Sequence, residues 1–217
     1  MIIFITGKPN CGKDTQAKLL AQKYNLEIVQ TGHLLREWAK NGKNDIAAKI
    51  NETIQKGYLV PVALTTFVWV KRIIELPEGQ GVIFEGNPRY LIEAESLVEF
   101  FNWLEAKPLI AIYLDMPDEE VYKRSTTRRY CDQCGESLSL ALNPGLEKCP
   151  NCGGDLIQRN DDNPEVIKTR LEVFYRDIIP AINFLKEKQI LYSVNAIGSI
   201  EEIHQNITQI IDNILSK

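Results

Sequence analysis

The sequence contains no long hydrophobic run and no excess of positive charge. None of its apolar stretches approaches the roughly 20 residues that a membrane-spanning helix needs. The net charge is −4 with a pI near 5.4, which argues against general attraction to nucleic acid or to an anionic membrane. Hydrophobic residues make up 44% and charged residues 25%, values typical of a globular protein and not of a disordered one. We therefore expect neither a membrane nor a nucleic acid as partner.

The sequence also lacks the features of a targeting segment. Residues 1–7 include no basic region, no long apolar region and no small-residue cleavage site, so we expect a mature start and a cytoplasmic protein. Internal repeats and low-complexity tracts are absent as well. A chain of 217 residues can bury roughly 70% of its unfolded surface, which predicts one well-packed domain with appendages.

Short apolar runs alternate with helical patterns along most of the chain. The first run is β-branched and aromatic and ends at Thr6-Gly7, which is typical of a strand buried on both faces. Helical patterns lie at 13–24, 93–104 and 164–188. Strands are predicted at 2–5, 27–30, 81–84, 109–114 and 190–194. This alternation predicts an α/β fold with a doubly wound, five-stranded parallel sheet.

Two stretches interrupt the alternation and are interpreted as insertions over the carboxyl edge of the sheet. Residues 31–60 have a helical pattern that ends before Pro61. Residues 129–159 are rich in turns and cysteines. The predicted core domain then consists of residues 1–30, 61–128 and 160–217.

A glycine-rich loop follows the first strand and precedes the first helix. Its sequence, Gly7-Lys8-Pro9-Asn10-Cys11-Gly12-Lys13, has the Gly-x-x-x-x-Gly-Lys spacing of a phosphate-binding loop. Glycines let backbone N–H groups approach a polyphosphate, and the helix N-terminus favours anions. We predict that Lys13 reaches the β- and γ-phosphates. The alternative is a plain turn with a solvated lysine.

Four of the five cysteines form two Cys-x-x-Cys pairs, Cys131 with Cys134 and Cys149 with Cys152. This spacing predicts a four-thiolate zinc site. Four thiolates leave no open coordination position, so the metal is expected to hold the segment folded and not to react; such a site also accepts iron. The fifth, Cys11, is interpreted as a small loop filler, with a reactive thiol as the alternative.

The order Gly-Lys-x-Thr-Gln at 12–16, with Pro9 before it, resembles the adenylate kinase branch of the nucleoside monophosphate kinases. Two positions depart from that pattern, because Asn10 and Asp14 stand where the family has glycine. The Asp14 carboxylate could repel the phosphates of a substrate. The favoured interpretation is that it points outward and complements the helix dipole.

The resemblance continues in two further segments. Thr31-Gly32-His33-Leu34-Leu35-Arg36 is similar to the segment that holds the monophosphate, with Thr31 near the base and Arg36 on the phosphate. Glu85-Gly86-Asn87-Pro88-Arg89 is similar to the family's Asp-Gly-Phe-Pro-Arg box. The resemblance implies that Arg89 is a second clamp on the monophosphate and that Glu85 lies near the water shell of Mg²⁺.

Glu93 stands where the adenylate kinase pattern has a glutamine. An ionised carboxylate can only accept hydrogen bonds, so a base with two adjacent donors, such as guanine, would suit it better than adenine. On this hypothesis, Glu93→Gln raises turnover of AMP relative to GMP. The alternative is that Glu93 is a solvated residue of a first helical turn.

Arginines lie on both sides of the cysteine segment. The resemblance implies that Arg124 and Arg128 grip ATP and that Arg159 and Arg170 close over the transferring group, while Arg129 has no clear role. It also implies a zinc-bearing lid, as in many bacterial adenylate kinases. Phosphoryl transfer depends mainly on positioning and positive charge, so no general base is required.

The resemblance thus implies three overlapping sets of site residues and a magnesium-associated pair, Thr15 and Glu85. The implied catalytic residues are Lys13, Arg89, Arg124, Arg128, Arg159 and Arg170. The implied ATP-binding residues are Gly7, Pro9, Asn10, Cys11, Gly12, Lys13, Asp14, Thr15, Arg124, Arg128 and Ala196. The implied monophosphate-binding residues are Thr31, Gly32, Leu35, Arg36, Tyr58, Val60, Gly86, Arg89, Glu93, Arg159 and Arg170.

The function implied is that of a monomeric adenylate kinase, which converts ATP and AMP into two ADP with Mg²⁺ and carries structural Zn²⁺. Two alternatives stay open: a kinase for another monophosphate, such as GMP, and a non-catalytic nucleotide-binding protein whose zinc ribbon binds RNA. A GTPase switch is disfavoured because the sequence has no Asn-Lys-x-Asp motif.

Overall fold

The structure is a computed structural model that describes residues 1–140, 143–158 and 163–216. Five strands form the main sheet and three shorter ones form a small second sheet. In chain order the strands are β1 (Ile2–Gly7), β2 (Leu26–Val29), β3 (Gly81–Glu85), β4 (Leu109–Asp115), β5 (Arg128–Cys131), β6 (Ser137–Ser139), β7 (Leu156–Ile157) and β8 (Leu191–Asn195). The described helices are α1 (Lys13–Tyr24), α2 (Thr31–Asn41), α3 (Asp45–Gln55), α4 (Val62–Ile74), α5 (Leu91–Trp103), α6 (Asp118–Thr127), α7 (Pro164–Val173), α8 (Ile179–Glu187) and α9 (Ile200–Leu215).

The main sheet is parallel throughout and has the strand order β2-β3-β1-β4-β8. All six residues of β1 are buried, because this strand lies at the centre with helices on both faces. Ile3, for example, pairs with Ile83 of β3 on one side and Ile110 of β4 on the other. The prediction of a five-stranded, doubly wound parallel sheet is confirmed.

The two faces of this sheet have different apolar clusters. On one face, Ala17 and Leu20 of α1 pack with Ile207 of α9. On the other face, Trp69 of α4 packs with Phe101 of α5. The aromatic rings of the second cluster meet at their edges, with the Phe84 and Phe101 centroids 5.7 Å apart. The site described below therefore lies on a sheet that is rigidly packed from both sides.

The segment predicted as one helix over 164–188 is helical but not continuous. The structure divides it into α7, a π-helical turn at Phe174–Ile178, and α8. Pro180 lies in the first turn of α8 and has no N–H to donate, so the regular hydrogen-bond ladder cannot continue through it. The sequence interpretation missed this interruption.

Residues 31–60 are helical, as predicted. Helices α2 and α3 pack together, and Leu35, Ile50, Val60 and Val68 form a separate small apolar cluster between them and α4. The Asn44 side chain caps α3 by accepting from the Ala47 N–H at 3.0 Å. This unit stands beside the sheet and supplies one side of the cavity described below.

The cysteine segment forms the small antiparallel sheet, with strand order β6-β5-β7. Two similar turns hold its cysteines: the Gly135 N–H donates to the Cys131 carbonyl at 3.1 Å, and the Gly153 N–H donates to the Cys149 carbonyl at 2.8 Å. Among the described residues, no helix combines the length and the hydrophobicity that crossing a membrane requires.

Candidate active site

The glycine-rich loop turns sharply between β1 and α1. Gly7 has φ 155°, and a Cβ there would lie 2.6 Å from the Leu114 carbonyl oxygen and 2.7 Å from Cys11 Sγ, so no larger residue fits. Gly12 is the N-cap of α1 and has φ 92° and no capping side chain. The N–H groups of the first turn of α1 are therefore available to an anion.

A buried lysine fixes the loop to the rest of the protein. Lys8 Nζ donates to Asp118 Oδ1 at 2.6 Å, and the Tyr175 hydroxyl donates to the same oxygen at 2.8 Å. The ammonium also lies 5.2 Å from the centre of the Tyr175 ring. Sequence reasoning missed this anchor, because Asp118 and Tyr175 are far from Lys8 along the chain.

Lys13 lies between the loop and the end of β3. Its Nζ is 3.9 Å from Glu85 Oε1 and donates to the Lys8 carbonyl at 3.4 Å. Thr15 lies in the first turn of α1, two residues further along. The structure thus brings the predicted lysine and the predicted magnesium-associated acid together.

Asp14 has two polar partners of its own. Its carboxylate accepts from Gln30 Nε2 at 2.6 Å and forms an ion pair of 3.3 Å with Lys18, one helical turn further along α1. Lys18 Nζ also contacts Glu136, next to the cysteines, at 3.1 Å. Asp14 is therefore partly neutralised and is not part of the cavity wall.

Cys11 is buried, with 1% of its surface exposed. Burial raises the pKa of its thiol, against the opposing effect of Lys13 nearby. The side chain packs in the apolar cluster that includes Leu114 and Ala17. These surroundings support the loop-filler interpretation and oppose a reactive thiolate.

Two arginines converge beside Gly32 of α2. A Cβ on Gly32 would lie 3.2 Å from Arg89 Nη2 and 3.5 Å from Arg36 Nη1, so both guanidinium groups approach the helix backbone where it has no side chain. Arg89 is oriented by its Nε, which donates to the Gly86 carbonyl at 2.7 Å. Two planar cations at one point can bind one phosphate through several charge-assisted hydrogen bonds.

A cavity extends from the glycine-rich loop to α2 and α3. Of the residues predicted to bind a monophosphate, nine lie in its wall: Thr31, Gly32, Leu35, Arg36, Tyr58, Val60, Gly86, Arg89 and Arg170. Gly7, Pro9 and Lys13 of the loop also line it. The predicted phosphate-loop and monophosphate residues therefore share one continuous space.

Glu93 lies outside that wall and has no exposed surface. Its Oε1 accepts from Asn87 Nδ2 and its Oε2 accepts from the Arg89 backbone N–H, both at 2.7 Å. Burial raises the pKa of the carboxyl, and these hydrogen bonds oppose that effect. Since the side chain is buried and bonded, the interpretation of Glu93 as a solvated helix residue is wrong.

Arg124 and Arg128 each contact another residue that the sequence predicts to bind ATP. Arg124 Nη2 donates to the carbonyl of Ala196 at 3.0 Å, which joins two predicted ATP-binding residues. Arg128 Nη1 donates to Asn10 Oδ1 of the loop. Arg129, which was given no role, donates to the Arg128 and Thr126 carbonyls.

The last two predicted arginines lie beyond the cysteine segment. The Cγ of Arg170 on α7 would lie 3.0 Å from a Cβ on Gly57, which places this arginine against the turn that ends residues 31–60. Arg159 lies outside the described residues.

The four sulfur atoms of Cys131, Cys134, Cys149 and Cys152 all lie within 4.8 Å of one another. The sulfurs of Cys131 and Cys152 are 3.4 Å apart, well beyond a disulfide bond, and all four cysteines are free. Tetrahedral zinc with bonds of about 2.3 Å places its sulfurs about 3.8 Å apart, close to this arrangement. The donor set therefore fits a single metal ion.

Several residues of the cavity wall escaped sequence reasoning, among them Thr65 of α4 and Tyr90 before α5. Thr65 is buried, and its hydroxyl donates to the Val62 carbonyl at 2.9 Å. Neither residue belongs to a recognisable motif. Their position at the cavity follows only from the fold, which brings α4 and the start of α5 to the same place.

The parallel sheet, the Gly-x-x-x-x-Gly-Lys loop at the end of its central strand, and the cations around one cavity define a P-loop nucleotide-binding protein of the kinase type. Comparisons with known proteins refine this class. A profile of the adenylate kinase family matches residues 5–190. The chain therefore belongs to the adenylate kinase family.

Individual members of the family are similar to this chain over nearly their whole length. The adenylate kinase of Archaeoglobus fulgidus is 36% identical over 218 residues, which cover 100% of both chains. That of Clostridium botulinum is 35% identical over 213 residues, which cover 97% of this chain and 98% of the relative. That of Methanothrix thermoacetophila is 32% identical with the same coverage.

Proposed function

We propose that this protein transfers the γ-phosphoryl group of MgATP reversibly to AMP and so yields two ADP. The observation that carries the proposal is the convergence of Arg36 and Arg89 beside Gly32, in the cavity that Lys13 also lines. A clamp for one phosphate next to a loop for a polyphosphate suits two nucleotides bound end to end. Holding them in line supplies much of the acceleration in such a reaction.

The ATP phosphates would lie on the N–H groups at the start of α1, with Lys13 at the β- and γ-phosphates. Arg124 and Arg128 would hold the ATP side, and Arg159 and Arg170 would close over the transferring group. Thr15 and Glu85 would hold Mg²⁺, Glu85 through the ion's water shell. When bound, this ion neutralises charge on the phosphates.

We further propose that the four cysteines hold Zn²⁺ as a structural ion. Residues 129–159 then form a lid and residues 31–60 a monophosphate-binding unit, each moving against the core of residues 1–30, 61–128 and 160–217. Closure would exclude water, which otherwise competes with AMP for the phosphoryl group. Metal analysis by mass spectrometry distinguishes zinc from iron.

The proposed setting is that of a monomeric cytoplasmic enzyme whose partners are ATP and AMP, with no nucleic acid and no membrane. A net charge of −4 supports the last two points. Light scattering at assay concentration tests the monomer.

A coupled assay with ATP and each of AMP, GMP, CMP, UMP and dTMP tests the reaction. AMP is expected to be the best acceptor. A better rate with another monophosphate would reassign the base specificity. If none of the five is phosphorylated, the proposal of an enzyme is contradicted and a non-catalytic nucleotide-binding protein is favoured. A measurement of salt-dependent RNA binding would then test that alternative.

A further inference from the structure

Two side-chain oxygens in the cavity wall are buried without a hydrogen-bond partner among the described residues. They are Asn87 Oδ1 and Thr31 Oγ1. Asn87 has no exposed surface, and Thr31 has 2%. A buried acceptor without a donor costs free energy, so such a group in a binding cavity indicates that a ligand supplies the missing partner.

The orientation of the Asn87 amide is set by Glu93. Asn87 Nδ2 donates to Glu93 Oε1 at 2.7 Å, and the second carboxylate oxygen accepts from the Arg89 N–H at 2.7 Å. A carboxylate that receives two N–H groups acts only as an acceptor, so Asn87 must present its NH₂ group to it. Asn87 lines the cavity, and its Nδ2 is directed to Glu93, which does not line it. We therefore infer that Oδ1 is the amide atom nearer to a ligand in the cavity.

We propose that Asn87 Oδ1 selects the base of the monophosphate by accepting from an exocyclic amino group, and that Glu93 is a positioning residue that does not touch the substrate. The inference rests on the proposed function, whose base specificity it explains. Adenine and cytosine carry an amino group where guanine and uracil carry a carbonyl oxygen. A carbonyl oxygen facing Asn87 Oδ1 would place two acceptors against each other.

This arrangement reverses the expectation for the Glu93→Gln variant. The Arg89 backbone N–H cannot move away, so the glutamine would turn its oxygen to that donor and its NH₂ group to Asn87. The Asn87 amide would then flip and present Nδ2 to the cavity. The kcat/KM ratio of AMP to GMP should fall about tenfold, the effect of exchanging one hydrogen bond for a mismatch.

Direct base reading by Glu93 predicts the opposite sign, a rise in that ratio. A rise, or an unchanged ratio, would overturn the inference. The conservative change keeps size and burial, so a role of Glu93 in folding alone would lower the melting temperature without moving the ratio.

A second test removes first the amino group of the base and then the Asn87 side chain that is proposed to accept from it. Wild-type protein should prefer AMP about tenfold over purine riboside 5′-monophosphate, which lacks the amino group. In Asn87→Leu this preference should fall to about one, because the acceptor of the amino group is lost; the variant also loses the donor to Glu93, so circular dichroism must show that it is folded. Asn102→Leu, on an exposed position of α5, is the matched control and should keep the wild-type preference.

Equilibrium binding of the two monophosphates by calorimetry gives the same ratio without turnover. If the wild type binds both but phosphorylates neither, the proposed function fails while the role of Asn87 is still measured. If the Asn87→Leu variant retains the tenfold preference, Asn87 does not read the base even though the enzyme is active.

Discussion

The cavity side of this protein and the cysteine segment are held together by different means. Strand β1 is buried along its whole length and lies between two large apolar clusters. In the described part of residues 129–158, by contrast, only Cys131, Cys149 and Gly154 are buried. Hydrophobic burial can order the first region, but it leaves the second region with almost no core of its own.

This difference in packing suits the different roles that we propose for the two regions. Under the proposed function, Arg89 would hold the monophosphate from the loop after β3, at the edge of the packed sheet, whereas the cysteine segment would be a mobile lid ordered by a bound metal. The cysteine segment contacts the core through the Lys18–Glu136 pair at 3.1 Å, and Arg128, just before this segment, donates a hydrogen bond to Asn10. Both contacts are polar and only partly buried, so under the proposed function they would break and re-form as the lid moves.

The largest expected effect comes from removing Arg89, which the proposed function places on the phosphate of AMP. Arg89→Ala should lower kcat/KM for AMP by about 10³-fold, because a bidentate, charge-assisted contact is lost where negative charge must be bound. Steady-state kinetics with AMP varied at saturating ATP measures this effect. Arg89 Nε also donates to the Gly86 carbonyl, so circular dichroism must show that the variant melts as a folded protein.

Arg129→Ala is the matched control, because the described contacts of Arg129 are to the carbonyls of Arg128 and Thr126, next to it in the chain. It should keep wild-type kinetics. Equal losses in both variants would mean that general positive charge, and not a clamp, supports the activity.

Removing the metal tests whether the cysteine segment depends on it for its folded structure. After chelation, amide exchange at Gly135 and Gly153 should become fast. Their N–H groups donate to cysteine carbonyls in two turns, and these turns should open when the metal no longer holds the cysteine sulfurs together. Amides of β1 should keep their protection. Phosphoryl transfer should fall by about 10- to 10²-fold, since the phosphate loop and the Arg36–Arg89 clamp stay folded while the lid cannot close.

Restoring zinc should return both the protection and the rate. Loss of protection in β1 at the same time as in the cysteine segment would contradict the division into two independently ordered regions.

Local patterns in the sequence were sufficient to predict the sheet and the cysteine cluster. A strand buried on both faces is continuously apolar, and two Cys-x-x-Cys pairs at this spacing are typical of one four-thiolate site, so β1 and the clustering of the four thiols were correctly predicted. The convergence of Arg36 and Arg89 followed from motif resemblance and not from pattern. Their roles in binding stay a prediction.

Contacts between distant segments could not be predicted in the same way. Burial of Lys8 depends on Asp118, which is 110 residues away. Glu93 was expected either at the base or in solvent; it is buried and accepts a hydrogen bond from Asn87, and its part in base recognition stays a prediction. A charged residue in a first helical turn looks the same in sequence whether the tertiary structure buries it or exposes it.

The smallest expected effect concerns the link between the two regions. Asn10 has φ 61°, its Nδ2 donates to the Ser125 hydroxyl, and its Oδ1 accepts from Arg128. Asn10→Gly should raise the KM for ATP about fivefold, because Arg128 loses the group that holds it beside the phosphate loop, and should leave the KM for AMP unchanged.

Asn25→Gly provides the matched control for the backbone, because Asn25 also has a left-handed φ, 52°, at the C-terminus of α1. Glycine relieves a comparable conformational cost at both positions, so any difference in the KM for ATP between the two variants isolates the Asn10 side chain. Equal KM values for ATP would show that the hydrogen bond to Arg128 does not preorganise the ATP side. The lid arginines would then be positioned only when the lid closes, and the contrast between the packed sheet and a mobile lid would be sharper than the contacts indicate.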